Sequence, residues 1–132
     1  MRRVGLAVAL IGLVVVAAGC RHKSGPQRVA EAFLDAYYVH IDLGRARELC
    51  SGLARAKIER EIGLTHNVPI DRETRTPQVG YRLRQERSEG DARRFVYELS
   101  IRAPDSEPFK RTVIITVRGE PGRWSVANYS ES

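Results

Sequence analysis

The residues able to do chemistry in this chain are few and scattered. His22, His40 and His66 have no His, Cys or carboxylate at the helical spacing that would pair them around a metal ion. Ser51-Gly52 lacks the glycine-flanked elbow of an activated serine, and no glycine-rich loop is present to cradle a phosphate. Asp35 and Asp42 stand seven residues apart, a spacing that would put both on one helix face. Asp42 is better explained as a helix cap, and Asp35 as a solvated residue. Cys50 follows Leu49 with no adjacent His or basic side chain to draw off its proton. It reads as a small buried hydrophobe on one stripe with Leu49 and Leu53. The remaining candidates are aromatic residues with polar tips, Tyr37, Tyr38, Tyr97 and Trp124. Such side chains often line ligand cavities. Tyr37, Tyr97 and Trp124 are taken as ligand-binding candidates, although each also falls on a core periodicity. No catalytic residue, metal or cofactor is expected.

The elements that would position these side chains follow from hydrophobic period. Ser24-Gly25-Pro26-Gln27 has the form of a helix start, with capping-box spacing and a proline in the first turn. Val29, Phe33 and Tyr37 then recur at helical spacing, predicting a first helix over Pro26–Ile41. Asp42 would cap a second segment, Leu43–Cys50, and Ser51 a third, Leu53–Ile62, with Gly63 as its stop. Thr65–Pro77 is a loop candidate. Beyond it the period changes to two. Val79, Tyr81 and Leu83 alternate with Gly80, Arg82 and Arg84, and Phe95, Tyr97, Leu99 and Ile101 with Val96, Glu98 and Ser100. Val113, Ile115 and Val117 form a third alternating run, and Trp124–Tyr129 a fourth strand. Short turns at Ser88–Asp91, Pro104–Pro108 and Glu120–Arg123 imply antiparallel hairpins. The expected fold class is α+β, with N-terminal helices packed on one face of a curved antiparallel four-stranded sheet. Residues 26–132 would form this single domain.

Residues 1–20 carry a different signal. Met1-Arg2-Arg3 precedes an unbroken apolar run from Val4 to Ala18, and Ala17, Ala18 and Gly19 lead to Cys20. That is the build of a signal peptide over residues 1–19. The run is shorter than the ~18–20 residues of a comfortable membrane span. Arg21, His22 and Lys23 on its far side oppose the positive-inside rule for an uncleaved anchor. Val16-Ala17-Ala18-Gly19-Cys20 resembles the lipobox of bacterial lipoproteins, with Ala17 where Leu is commoner. The resemblance implies a diacylglyceryl thioether on Cys20 and cleavage before it. Residues 20–25 would then be the lipidated Cys and a short tether. Arg21 in place of an Asp after the Cys points, by the same resemblance, to the outer membrane, facing the periplasm. With Cys20 lipidated, Cys50 is left without a disulfide partner.

Charge excludes one class of partner. The formal charge is +6, but setting aside Arg2, Arg3, Arg21 and Lys23 it falls to +2. In the body of the chain bases alternate with acids, as in Lys57, Glu59, Arg60 and Glu61. A nucleic-acid site would need a sustained single-sign cluster with stacking aromatics, so no nucleic-acid partner is expected.

The stretch Ala36-Tyr37-Tyr38-Val39-His40-Ile41-Asp42-Leu43 and the closing Gly122-Arg123-Trp124-Ser125-Val126 resemble the nuclear-transport-factor-2-like, or cystatin-like cone, superfamily. They are especially similar to small bacterial lipoproteins of that fold. The resemblance covers about Pro26 to Tyr129. It implies a sheet curled around the first helix and a cone-shaped cavity. Some members are isomerases or dehydratases, and many only bind, dimerise or scaffold. The isomerase branch places a Tyr on the first helix where this chain has Leu34, beside Phe33, so the oxyanion donor is missing there. The only acids between Ile62 and Val79 are Asp71 and Glu73, in a polar loop. The expected function is therefore a lipid-anchored, non-catalytic envelope domain that binds a small ligand or a protein partner through its cavity or sheet face. A small envelope enzyme using the same cavity, or a subunit that dimerises through its sheet, are the alternatives.

Overall fold

A computed structural model describes residues 23–66 and 77–132 of the 132-residue chain. The expected signal peptide, Cys20, Asp71 and Glu73 lie outside the described residues, as does most of the Thr65–Pro77 loop.

Helix α1 spans Gly25–Leu34. Ser24 caps it, its Oγ accepting the Gln27 backbone N–H at 3.3 Å, and Pro26 occupies the first turn where its missing N–H costs nothing. Only half of the expected capping box forms, because the Gln27 side chain turns forward to Glu31 instead of back to Ser24. The predicted helix to Ile41 is not regular throughout. Asp35–Val39 is a π-helical turn, in which the His40 N–H reaches the Asp35 carbonyl at 2.8 Å. Asp42 caps α2, Leu43–Glu48, through the Arg45 N–H at 3.0 Å. Helix α3 spans Gly52–Thr65. It runs through Gly63, so the expected stop at that residue is corrected. Ser51 precedes α3 without a side-chain cap, since its hydroxyl is spent on the Ser125 hydroxyl at 2.7 Å.

Strands β1 (Gln78–Glu89), β2 (Ala92–Arg102), β3 (Phe109–Arg118) and β4 (Ser125–Glu131) form one antiparallel sheet in sequential order. Strand β1 is longer than the alternation predicts. A register shift between Leu83 and Gln85 breaks the period-two pattern, and the exposed run that follows has the polarity of a loop while still pairing with β2. The hairpin tip tightens to Gly90-Asp91, where Gly90 takes φ +60°. Between β3 and β4, Gly119 has φ +138°, and a Cβ there would meet the Arg123 carbonyl oxygen.

The core lies between the helices and the inner sheet face. Phe33 and Leu34 of α1, Ile58 of α3, and Phe95, Tyr97, Leu99, Val113, Ile115, Val117 and Val126 of the sheet are fully buried. Val29, Tyr37 and Trp124 pack against this cluster, as the expected pairing of the α1 stripe with the inner strand positions requires. Cys50 is buried, but not on a stripe with Leu53. It forms a parallel bridge to Val126 at the β4 edge, while Leu53 turns outward and is 57% exposed. This segment ties the α2–α3 corner to the sheet, through Ser51 N–H to the Val126 carbonyl at 2.9 Å and Val126 N–H to the Leu49 carbonyl at 2.8 Å.

Candidate functional site

Four of the five tyrosines donate their hydroxyl to a carboxylate. Tyr97 reaches Glu31 at 3.3 Å, Tyr81 reaches Asp35 at 2.8 Å, Tyr37 reaches Glu61 at 2.8 Å, and Tyr38 reaches Glu131 at 2.5 Å. Burial first, and the acceptor carboxylate next, push the Tyr37, Tyr38 and Tyr81 phenols above their ordinary range. The Tyr97 phenol is raised the same way by burial and Glu31. All four therefore act as hydrogen-bond donors and not as bases.

The pairs differ in surroundings. Glu31 is the buried acid of the described residues, at 8% exposure, and is closed off by Lys23 at 2.6 Å and Gln27 at 2.7 Å in addition to Tyr97. It is a satisfied structural carboxylate. Asp35 is not the solvated residue its sequence context suggests. It is half-buried and holds Tyr81 of β1 against the π-helical turn. Glu131 is additionally paired with Arg111 at 2.8 Å on the surface.

The Tyr37–Glu61 pair borders a cavity. The π-helical turn, the start of α2, the end of α3 and the first part of β1 with the last part of β2 border a half-open pocket of about 540 Å³. Ile41, Leu43, Val79 and Ile101 form its apolar wall, and the half-buried Tyr37, Tyr38 and Glu61 its polar lining, with the exposed Thr65 and His66 at its rim. In a regular α-helix successive side chains diverge by about 100°. Here the wider turn lets consecutive Tyr37 and Tyr38 both line the cavity, their rings edge to face with centroids 4.7 Å apart. Single π-helical turns within helices recur at functional sites. Ile41 also lines the cavity, exposed by 57% and with φ +53°, a left-handed conformation that a β-branched residue rarely adopts.

Of the three ligand-binding candidates read from sequence, the structure brings only Tyr37 to this cavity. Tyr97 is fully buried in the core, because its inward position on β2 lies beneath α1. Trp124 precedes β4 at the other end of the sheet, where it packs on Gly25 at the start of α1. Sequence reading passed over Glu61 and Glu31. The signal available for Glu31 is its i, i+4 spacing from Gln27; for Glu61, two elements away from Tyr37, there is none.

Helices layered on one face of a curled four-stranded meander, with a cavity at one end, define an α+β cone. The chain has the nuclear-transport-factor-2-like fold, as comparison with solved structures shows. It superposes on a putative calcium/calmodulin-dependent protein kinase type II association domain from Thiobacillus denitrificans with a TM-score of 0.61 and 12% identity, covering 81% of this chain and 93% of that one. A nuclear-transport-factor-2-like protein of unknown function from Shewanella oneidensis gives 0.56 at 11% identity, over 80% and 93% of the two chains. The VirB8 protein of Agrobacterium tumefaciens gives 0.50 at 15% identity, over 84% and 94%. No family model and no curated protein matches the chain by sequence.

Proposed function

We propose that this chain is a lipid-anchored, non-catalytic binding domain of the cell envelope, and that the Tyr37–Glu61 cavity is where it takes a small ligand. The cavity carries this reading: about 540 Å³, mostly apolar in its wall, with convergent polar groups on one side. An engineered apolar cavity of ~150 Å³ already holds benzene, so this volume suits a larger molecule.

A proton-transfer enzyme is the competing reading, because Glu61 is a carboxylate facing a cavity. Acid–base chemistry needs a base and a donor aimed at different atoms of the substrate. Here the donor, Tyr37, is hydrogen-bonded to the carboxylate itself. Leu34 and Phe33, where the isomerase branch would have its donor, are fully buried in the core. Binding without chemistry is the better account of these contacts.

Anchoring through Cys20 rests on the sequence pattern of residues 1–20. Native mass spectrometry of the full chain extracted from envelopes in a mild nonionic detergent tests both parts. The expected species begins at Cys20, carries acyl chains, and retains a small molecule that dissociates on collisional activation. Val79→Trp, which fills the cavity, should lose that molecule. Retention in Val79→Trp would place binding elsewhere, and an unmodified N-terminus at another residue would refute the lipoprotein reading.

A further inference from the structure

We infer that the cavity selects amphipathic cations, ligands that pair an apolar body with an ammonium group. The inference deepens the binding reading above and rests on it. Its observation is the juxtaposition of one carboxylate and two tyrosines in the lining of a half-open, largely apolar pocket. Glu61 lines the cavity, and among the described residues it forms no ion pair with a Lys or Arg. Lys57, one helical turn before it on α3, points away and is held by the Asn128 side chain and the Tyr129 carbonyl, both at 2.8 Å.

A carboxylate has about four acceptor positions, and the single Tyr37 hydroxyl fills only part of that capacity. Tyr37 and Tyr38 both line this space, with Phe33 stacked on one face of the Tyr37 ring. Aromatic faces attract cations, and do so more strongly where water is thinned out. The tyrosines stay protonated and neutral because burial raises both phenols, so they add no charge that competes with Glu61. An anionic ligand would instead be repelled by the Glu61 charge on the same wall. His66 stands at the exposed rim rather than in the polar lining.

Three probes of similar size separate charge from fit: benzylammonium, benzyl alcohol and phenylacetate. They are titrated by calorimetry into the full chain in a maltoside detergent. The expected order is cation over alcohol by about tenfold, the scale of a partly desolvated cation–aromatic contact, with the carboxylate weakest. Glu61→Gln keeps an acceptor for Tyr37 but removes the charge, and should bring the cation-to-alcohol ratio down to about one. Tyr37→Phe keeps both the ring and the carboxylate, and should preserve the ratio. Glu59→Gln, an exposed change on the same helix, should leave it untouched. Equal or tighter binding of phenylacetate would overturn the cation inference while leaving the cavity reading intact. Absence of binding by all three would overturn both.

Discussion

Cys50 and Ile41 carry the most testable chemistry at the scale of single residues. Burial pushes the Cys50 thiol up to about 12, with the nearby Arg55 opposing weakly. An unfolded thiol releases its proton near ~8.5. Above that pH the folded state therefore holds more protons than the unfolded state, and stability falls as pH rises. The phenols of Tyr37, Tyr38, Tyr81 and Tyr97 are raised in the same direction and steepen the decline above ~10. The urea midpoint should hold steady up to about pH 8 and drop from about pH 9 onward, and Cys50→Ala should flatten the first part of the drop. A midpoint unchanged to about pH 11 would contradict this. Labelling of Cys50 by a thiol reagent should be slow without denaturant for the same reason. Ile41 makes a different prediction. Its left-handed backbone costs about 1–2 kcal/mol for a branched L-residue, and its side chain is largely exposed, so little packing is gained in return. Ile41→Asn should stabilise the protein by about 1 kcal/mol in urea titration, because Asn tolerates this conformation. The same change removes part of the cavity wall and should weaken benzyl alcohol binding. Stabilisation with unaltered binding would detach Ile41 from the site.

At the scale of elements, α1 holds the fold. Phe33 is fully buried, stacked on Tyr37 with centroids 5.5 Å apart and tilted against Tyr129 at 5.0 Å. Phe33→Ala should cost about 3–5 kcal/mol of unfolding free energy. A loss under about 1 kcal/mol would mean that the ring is not a core residue. The sequence made this packing legible because Val29, Phe33 and Tyr37 share a helical period and the β2 and β3 positions share a period of two. It made the caps at Ser24 and Asp42 legible because those residue types have one common use before a helix. Other features were not legible, for physical reasons. The π-helical turn carries a tertiary contact, Tyr81 of β1 holding Asp35 at 2.8 Å, which no local propensity encodes. The second half of β1 was hidden by the register shift after Leu83. The site was half legible: Tyr37 as an aromatic on the right face, but not Glu61, which only folding brings to it across 24 positions of sequence.

At the scale of the whole molecule, the start of α1 and the cavity lie at opposite ends of the sheet. Gly25 meets Trp124 near the β3–β4 turn, whereas the cavity lies by Val79 and Ile101, far along the sheet. Strand β2, whose 11 residues run between these ends, spans about 35 Å at ~3.3 Å per residue. Cys20→Ser should abolish thioether formation, leave an unprocessed precursor of higher mass, and leave cavity binding intact. Processing that continues in this variant would contradict lipidation at that residue. The outer sheet face does not offer the contiguous apolar surface that sheet-to-sheet dimerisation would favour. Val96 and Ile114 pair across its centre, but Arg87 pairs directly with Arg94 beside them, and Arg82 and Lys110 flank the central Glu98.

The most direct test of the account is to locate binding within the molecule. Amide chemical shifts of the isotopically labelled full chain, titrated with benzyl alcohol in nonionic detergent, report the site residue by residue. The account predicts saturable shifts confined to Tyr37–Leu43, Glu61–His66, and the neighbourhood of Val79 and Ile101, abolished in Val79→Trp. Shifts clustering on Arg87, Arg94, Val96 and Ile114, or none at saturation, would contradict it.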